Sequence, residues 1–278
     1  MLRCCALAGL LCASALAAAE SPAINDAIER LYDFDFQSVH QILDRYISTH
    51  LEEPMPYAFR ASAYLFYELD RMGILESEFL IDDSRIAEKK RPLDPDPVVR
   101  AQFLKAVGDA ETRGQAALRV NPNDRDALFT MSITGGLKTD YMALVEKRQL
   151  SSLTAAKHSN SYAQRLLKVD PKFYDAYLAT GFSEYMVGSL PFFIRWFVHF
   201  DNVSGSKDRG KQNLQIVARE GHFFKPFAKI LLGIISLREK KPQEAQRFLV
   251  ELARDYPGNP LFRKELVKLN SKLGLAAN

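Results

Sequence analysis

Gly205-Ser-Lys-Asp-Arg-Gly-Lys-Gln212 has the glycine spacing and the lysine of a phosphate-binding loop. Such a loop works because a strand feeds a tight glycine turn whose backbone amides cradle phosphate, and a Ser or Thr after the lysine holds magnesium. Gln212 occupies that last place, and a helical pattern, not a strand, precedes the turn. A plainer purpose accounts for the same residues. Gly205 permits positive φ, Ser206 caps a helix, and Asp208 complements the positive helix N-terminus. The segment reads as an interhelical turn.

Other reactive groupings do not assemble in the sequence either. The five histidines, His40, His50, His158, His199 and His222, are scattered. No pair of them has a metal spacing with a carboxylate, and no HExxH occurs. Asp82-Asp83, Asp94/Asp96 and Glu52-Glu53 are paired acids in expected loops, without the glycine turn and final Glu that calcium requires. Lys89-Lys90-Arg91 reads as solvated charge. There is no Gly-x-Ser-x-Gly nucleophile elbow. The sequence therefore assigns no catalytic, cofactor-binding or metal residue, and the expected role is non-enzymatic.

Cys4, Cys5 and Cys12 are the three cysteines, and all fall within "MLRCCALAGLLCASALAAA". Arg3, the apolar run Cys4–Leu16 and Ala17-Ala18-Ala19 have the form of a secretory signal peptide over residues 1–19, with an uncleaved N-terminal anchor as the alternative. Leu11 before Cys12 argues against a lipoprotein signal. A mature chain over 20–278 would lack cysteine, and so disulfides and thiolate metal sites. It would carry 36 Lys+Arg against 34 Asp+Glu, too near neutral to indicate nucleic acid. The expected location is exported, periplasmic or envelope-associated.

Two groups of residues are candidates for binding a protein or peptide partner. The first is Leu190–Phe200, where Phe192, Phe193, Trp196 and Phe197 surround a narrow polar stripe of Arg195 and His199. As a helix it is about 16 Å long, too short to span a bilayer. It is either core between two repeats or an exposed patch facing a partner or a membrane surface. The second comprises Tyr64, Tyr67, Tyr174, Tyr177 and Tyr185, rigid aromatic groups that could line a groove.

The elements that must position these residues are helices. "VNPNDRDALF" (120–129) and "VDPKFYDAYL" (169–178) repeat one junction, in which a proline ends one helix and Asp-Ala opens the next. "YPGNPLF" (256–262) is a third version. Apolar spacing of three and four places helices near 23–32, 36–49, 57–73, 97–120, 124–147, 151–168, 173–187, 190–200, 206–220, 224–239, 242–255 and 260–273, with no convincing strand. Residues 81–97 read as a charged loop. Gly135-Gly136 is expected to kink or loosen its helix.

The segment 226–259 resembles a tetratricopeptide repeat: Leu232-Gly233, Ala245, Leu249 and Pro257 fall at its spacing. Gly and Ala are expected where the two helices of that hairpin touch. "DAYLATGFSEYMVGSLPFFIRWF" followed by "VSGSKDRGKQNLQIVAREG" is similar to the tetratricopeptide repeat protein 39 family and its fungal mitochondrial outer-membrane relatives, and to exported bacterial repeat proteins. The resemblance implies an all-α, right-handed solenoid of antiparallel hairpins and transfers no catalytic residue. It implies a single solenoid domain over 20–278, acting as a scaffold or adaptor for a protein or peptide in the cell envelope. The alternative is a peripheral protein that contacts lipid through 190–200.

Overall fold

Helix starts follow the capping chemistry written in the chain. Asp96 accepts hydrogen bonds from Val98 N–H at 2.7 Å and Val99 N–H at 3.1 Å, and Pro97 takes the first helical position. Asp35, Asp124, Ser206 and Asn259 cap the helices that follow them in the same way. The computed structural model describes residues 21–82, 94–190 and 203–275. In chain order these form α1 (Pro22–Tyr32), α2 (Phe36–Ile47), α3 (Met55–Arg71), α4 (Ser77–Leu80), α5 (Pro97–Val120), α6 (Arg125–Asp140), α7 (Gln149–Val169), α8 (Tyr177–Ser189), α9 (Lys207–Glu220), α10 (Lys225–Arg238), α11 (Pro242–Asp255) and α12 (Pro260–Lys272). No strand occurs among the described residues.

Departures from the expected boundaries have local causes. The two repeated junctions begin their helices differently because Phe173 stands where the first copy has Asp124. Asp124 accepts from Ala127 N–H at 2.8 Å, so α6 starts cleanly at Arg125. Phe173 has no capping oxygen, and its side chain is buried against Phe129 instead, with ring centroids 4.8 Å apart. The second junction therefore opens as a 3₁₀ turn, Tyr174–Ala176, before α8. At its other end α6 runs into a π-helical turn, Tyr141–Val145.

Gly135 lies inside α6 where that helix meets α7. A Cβ there would stand 2.8 Å from the backbone nitrogen of Ser159 on α7, so the missing side chain lets the two helices cross closely. Ser132 and Ser159 seal that crossing by donating to each other's carbonyls at 3.1 and 2.7 Å. In the segment 226–259 the hairpin of α10 and α11 is present. Ala245 is fully buried there, but a Cβ on Gly233 would meet Phe248 at an ordinary 3.8 Å. The tight approach expected at Gly233 is thus absent, and Ala245 is the small residue at that contact.

Successive helices pack on one another from α1 to α3 and from α5 to α12, and α3 also packs on α5 and α6. Distant parts of the chain then meet through side chains. Tyr32 Oη on α1 donates to the Phe223 carbonyl at 3.1 Å, and Asn259 Nδ2 donates to the Tyr32 carbonyl at 2.7 Å. Gly258 N–H donates to Asp33 at 3.0 Å, and Lys264 and Lys268 of α12 pair with Glu76. One apolar core consequently runs from α1 to Phe262, and a smaller one gathers Tyr185, Leu214, Leu232 and Ile235.

The turn that joins α9 to α10 is fixed by a single buried carboxylate. Asp175 accepts from His222 N–H at 2.9 Å, Phe223 N–H at 3.1 Å and Phe224 N–H at 2.7 Å. Removing an acceptor from buried donors leaves each of them unpaired, at about 1–3 kcal/mol apiece. Asp175→Ala is expected to lower the unfolding free energy by at least about 3 kcal/mol in urea titration. Asp175→Asn, which keeps one acceptor oxygen, should lose less. Equal, near-zero losses for both variants would show that the turn is held by something else.

Candidate functional site

Fixing residues 222–224 sends two aromatic rings inward. Phe223 lies 5.3 Å from Phe59 and 5.8 Å from Phe129, and Phe224 lies 5.5 Å from Phe129, centroid to centroid. Beside this cluster is a recessed cavity of about 150 Å³. Five helices each supply an apolar wall residue: Leu31 from α1, Phe66 from α3, Ile133 from α6, Leu178 from α8 and Leu231 from α10.

Most polar side chains in the wall are already satisfied by the protein. Ser62 donates to the Ala58 carbonyl, Thr139 to the Gly135 carbonyl, and Ser132 and Ser159 to each other's backbone. Tyr32 and Asp175 are bound to the 222–224 turn. Asp140 and Ser183 are the exceptions: both line the cavity and neither has a hydrogen bond or ion pair among the described residues. Asp140 is half-buried and lines the cavity.

Burial alone pushes the Asp140 carboxyl up to about 7. Burial also raises Asp175, although its three backbone donors pull in the opposite direction. Asp126, at the matching position of the first junction, rises to about 6 through burial and the neighbouring Asp124. His40, whose ring lies tilted against Tyr64 at 4.2 Å between centroids, is lowered by burial and by Arg60.

The tyrosines singled out in the sequence are not one surface. Tyr67 is 43% exposed on α3 and meets Phe36 edge-on at 5.9 Å, and Tyr64 is half-buried beside it. Tyr174 and Tyr177 are half-buried, and Tyr177 donates its hydroxyl to the Pro171 carbonyl at 3.3 Å. Tyr185, at 3% exposure, is a core residue and not a groove residue. It is buried because α8 and α9 cross at Gly181 and Gly210; a Cβ on Gly210 would stand 2.6 Å from the Tyr185 nitrogen. The chain extends after Ser189, and Phe192, Phe193, Arg195, Trp196 and Phe197 lie outside the described residues.

The loop with phosphate-site spacing is a structural turn. Gly205 has φ +71°, Ser206 Oγ accepts from Arg209 N–H at 3.2 Å, and Lys211 is paired with Glu239 at 3.1 Å. Buried Glu184 accepts from Ser204 N–H and Ser206 N–H, which occupies the amides that an anion would need. Among the described residues no three His, Cys, Asp or Glu side chains gather as metal ligands, and no helix is long and apolar enough to cross a membrane. No family model, curated protein or solved structure matches the chain.

Sequence reasoning marked Asp175 only as a helix-opening acid and passed over Asp140. No short motif surrounds Asp140; its one signal is an acid closing a helix whose preceding residues are almost all apolar or small. The pH response follows from its position. The folded chain holds a proton on Asp140 that the unfolded chain releases above about pH 4, so stability falls as pH rises from about 4 to about 7 and then levels off. Asp126 acts in the same sense up to about 6. Asp140→Asn is expected to match the parent near pH 4 and to exceed it by ~2–4 kcal/mol at pH 8 in chemical denaturation. An unchanged pH profile in the variant would contradict this reading.

Proposed function

We propose that the protein is a non-enzymatic binding protein that holds a small apolar molecule, or the apolar end of an amphiphile, in the cavity between α1, α3, α6, α8 and α10. The observation that carries this reading is the wall chemistry: aromatic and aliphatic side chains, with nearly every polar neighbour already bonded to the protein. Concave, mostly apolar sites with a few free polar groups are what small ligands occupy. A mostly apolar cavity near 150 Å³ has room for a benzene-sized molecule. A single ring or a short alkyl chain fits this limit; a whole lipid does not.

Within this reading the hairpins follow a right-handed, tetratricopeptide-like path, and the cavity lies on its inner side. Export to the cell envelope suits it, since a poorly soluble molecule there benefits from a carrier. It also keeps the expectation of lipid contact but moves the contact from the surface to the interior. A second reading, docking of a protein segment, draws support from one observation. Tyr64 and Tyr67 form an aromatic face with Phe34, Phe36 and His40, and Tyr67 is largely open to solvent. If that face recruits an envelope protein, Tyr67→Ala abolishes a crosslinked partner seen with the parent; a partner retained at full yield counts against the face.

Gly136 offers a direct test of the cavity. It lines the wall, and a Cβ there meets only the Ser159 hydroxyl, at 3.7 Å. Gly136→Leu should therefore fill the space without strain and gain up to about 1 kcal/mol in helix propensity. Saturating toluene is expected to raise the Tm of the parent and to leave the Tm of Gly136→Leu nearly unchanged. A parent that ignores toluene, or a variant that responds as the parent does, would remove the cavity as a binding site.

A further inference from the structure

An unpartnered acid in an apolar wall is costly whether charged or neutral, because water that would solvate it is largely excluded. Natural interiors pair such groups, so one left open toward a cavity marks a place where a ligand completes the bonding. Asp140 is such a group. It closes α6 at the junction with the π-helical turn, half-buried and with no side-chain partner among the described residues. The nearby charges in sequence are committed elsewhere: Lys138 pairs with Glu111 at 3.0 Å, and Arg148 with Glu146 at 3.1 Å. The aspartate that shares the wall, Asp175, is saturated by three backbone donors and offers little to a ligand.

We infer that Asp140 makes the cavity selective for a short apolar molecule ending in a primary amine, which it holds by a charge-assisted hydrogen bond, and selective against one ending in a carboxylate. The inference rests on the reading of the cavity as a binding site. An ammonium supplies both the donor and the positive charge that Asp140 lacks. A hydroxyl supplies the donor alone, and Ser183, free in the same wall, accepts or donates to either head group. A carboxylate brings a second negative charge into a space that already disfavours the first. The apolar walls hold the alkyl or aryl part whatever its head group.

The test compares four probes of one chain length, hexylamine, hexan-1-ol, hexane and hexanoate, by calorimetric titration of the full chain at pH 7.5. The expected order is amine, alcohol, alkane, carboxylate, with the amine bound at least about tenfold tighter than the alcohol. In Asp140→Asn the amine should lose that advantage while hexan-1-ol and hexane bind as before. If all four bind equally, or if the amine keeps its advantage in Asp140→Asn, the role of Asp140 is overturned while the cavity reading stands. If none binds, hexane included, the cavity reading fails and the inference falls with it. The order measured on the parent decides the matter by itself should the variant not fold.

Discussion

Three backbone N–H groups converge on one buried carboxylate, and much of the molecule depends on that convergence. Asp175 binds the amides of His222, Phe223 and Phe224, and these residues belong to a turn about fifty positions further along the chain. With the turn fixed, Phe223 reaches α3 and α6, and its carbonyl receives the Tyr32 hydroxyl from α1. A buried ion normally costs more than it returns, and burial does raise this carboxyl. The donors offset that cost because the turn would otherwise leave the buried Phe223 amide and the partly buried His222 and Phe224 amides unpaired. One side chain thus links the middle of the chain to its beginning and shapes the back of the cavity.

Contacts between distant parts of the chain add to the consecutive packing of the described helices. The end of α1 meets the loop before α12 where Asn259 Nδ2 donates to the Tyr32 carbonyl and Gly258 N–H donates to Asp33. Each bond joins a backbone atom to a short side chain, so the two segments lie close together. The proposed small apolar ligand needs only an enclosed apolar space, whereas an extended peptide would need an unobstructed groove.

Much of the fold was legible in residue types because capping and helix spacing are local. Pro122, Pro171 and Pro257 mark the junctions, and Asp96, Asp124, Ser206 and Asn259 mark helix starts, each by a contact within three residues. Rejection of the phosphate-loop reading was legible for the same reason, since Gln212 and the preceding helical pattern are local facts. The candidate site was not. Asp175 acts on residues 222–224, and Asp140 matters for what fails to reach it; neither fact has a period or a motif. Gly135 was read as a weak point because glycine loosens an isolated helix, whereas its use is to admit Ser159 of α7. Tyr185 is a groove candidate by residue type alone and a core residue in the structure, because an aromatic stripe looks alike in a groove and in a core.

The central claim is that the space between Leu31, Ile133 and Phe223 is mostly apolar and open to a small ligand. A crystal structure of the full chain under xenon pressure addresses this most directly, since xenon occupies empty apolar cavities and avoids hydrated ones. The account predicts an anomalous xenon peak among these three side chains. Ordered water hydrogen-bonded to Asp140 throughout the space, or walls closed on one another with no xenon between them, would contradict it.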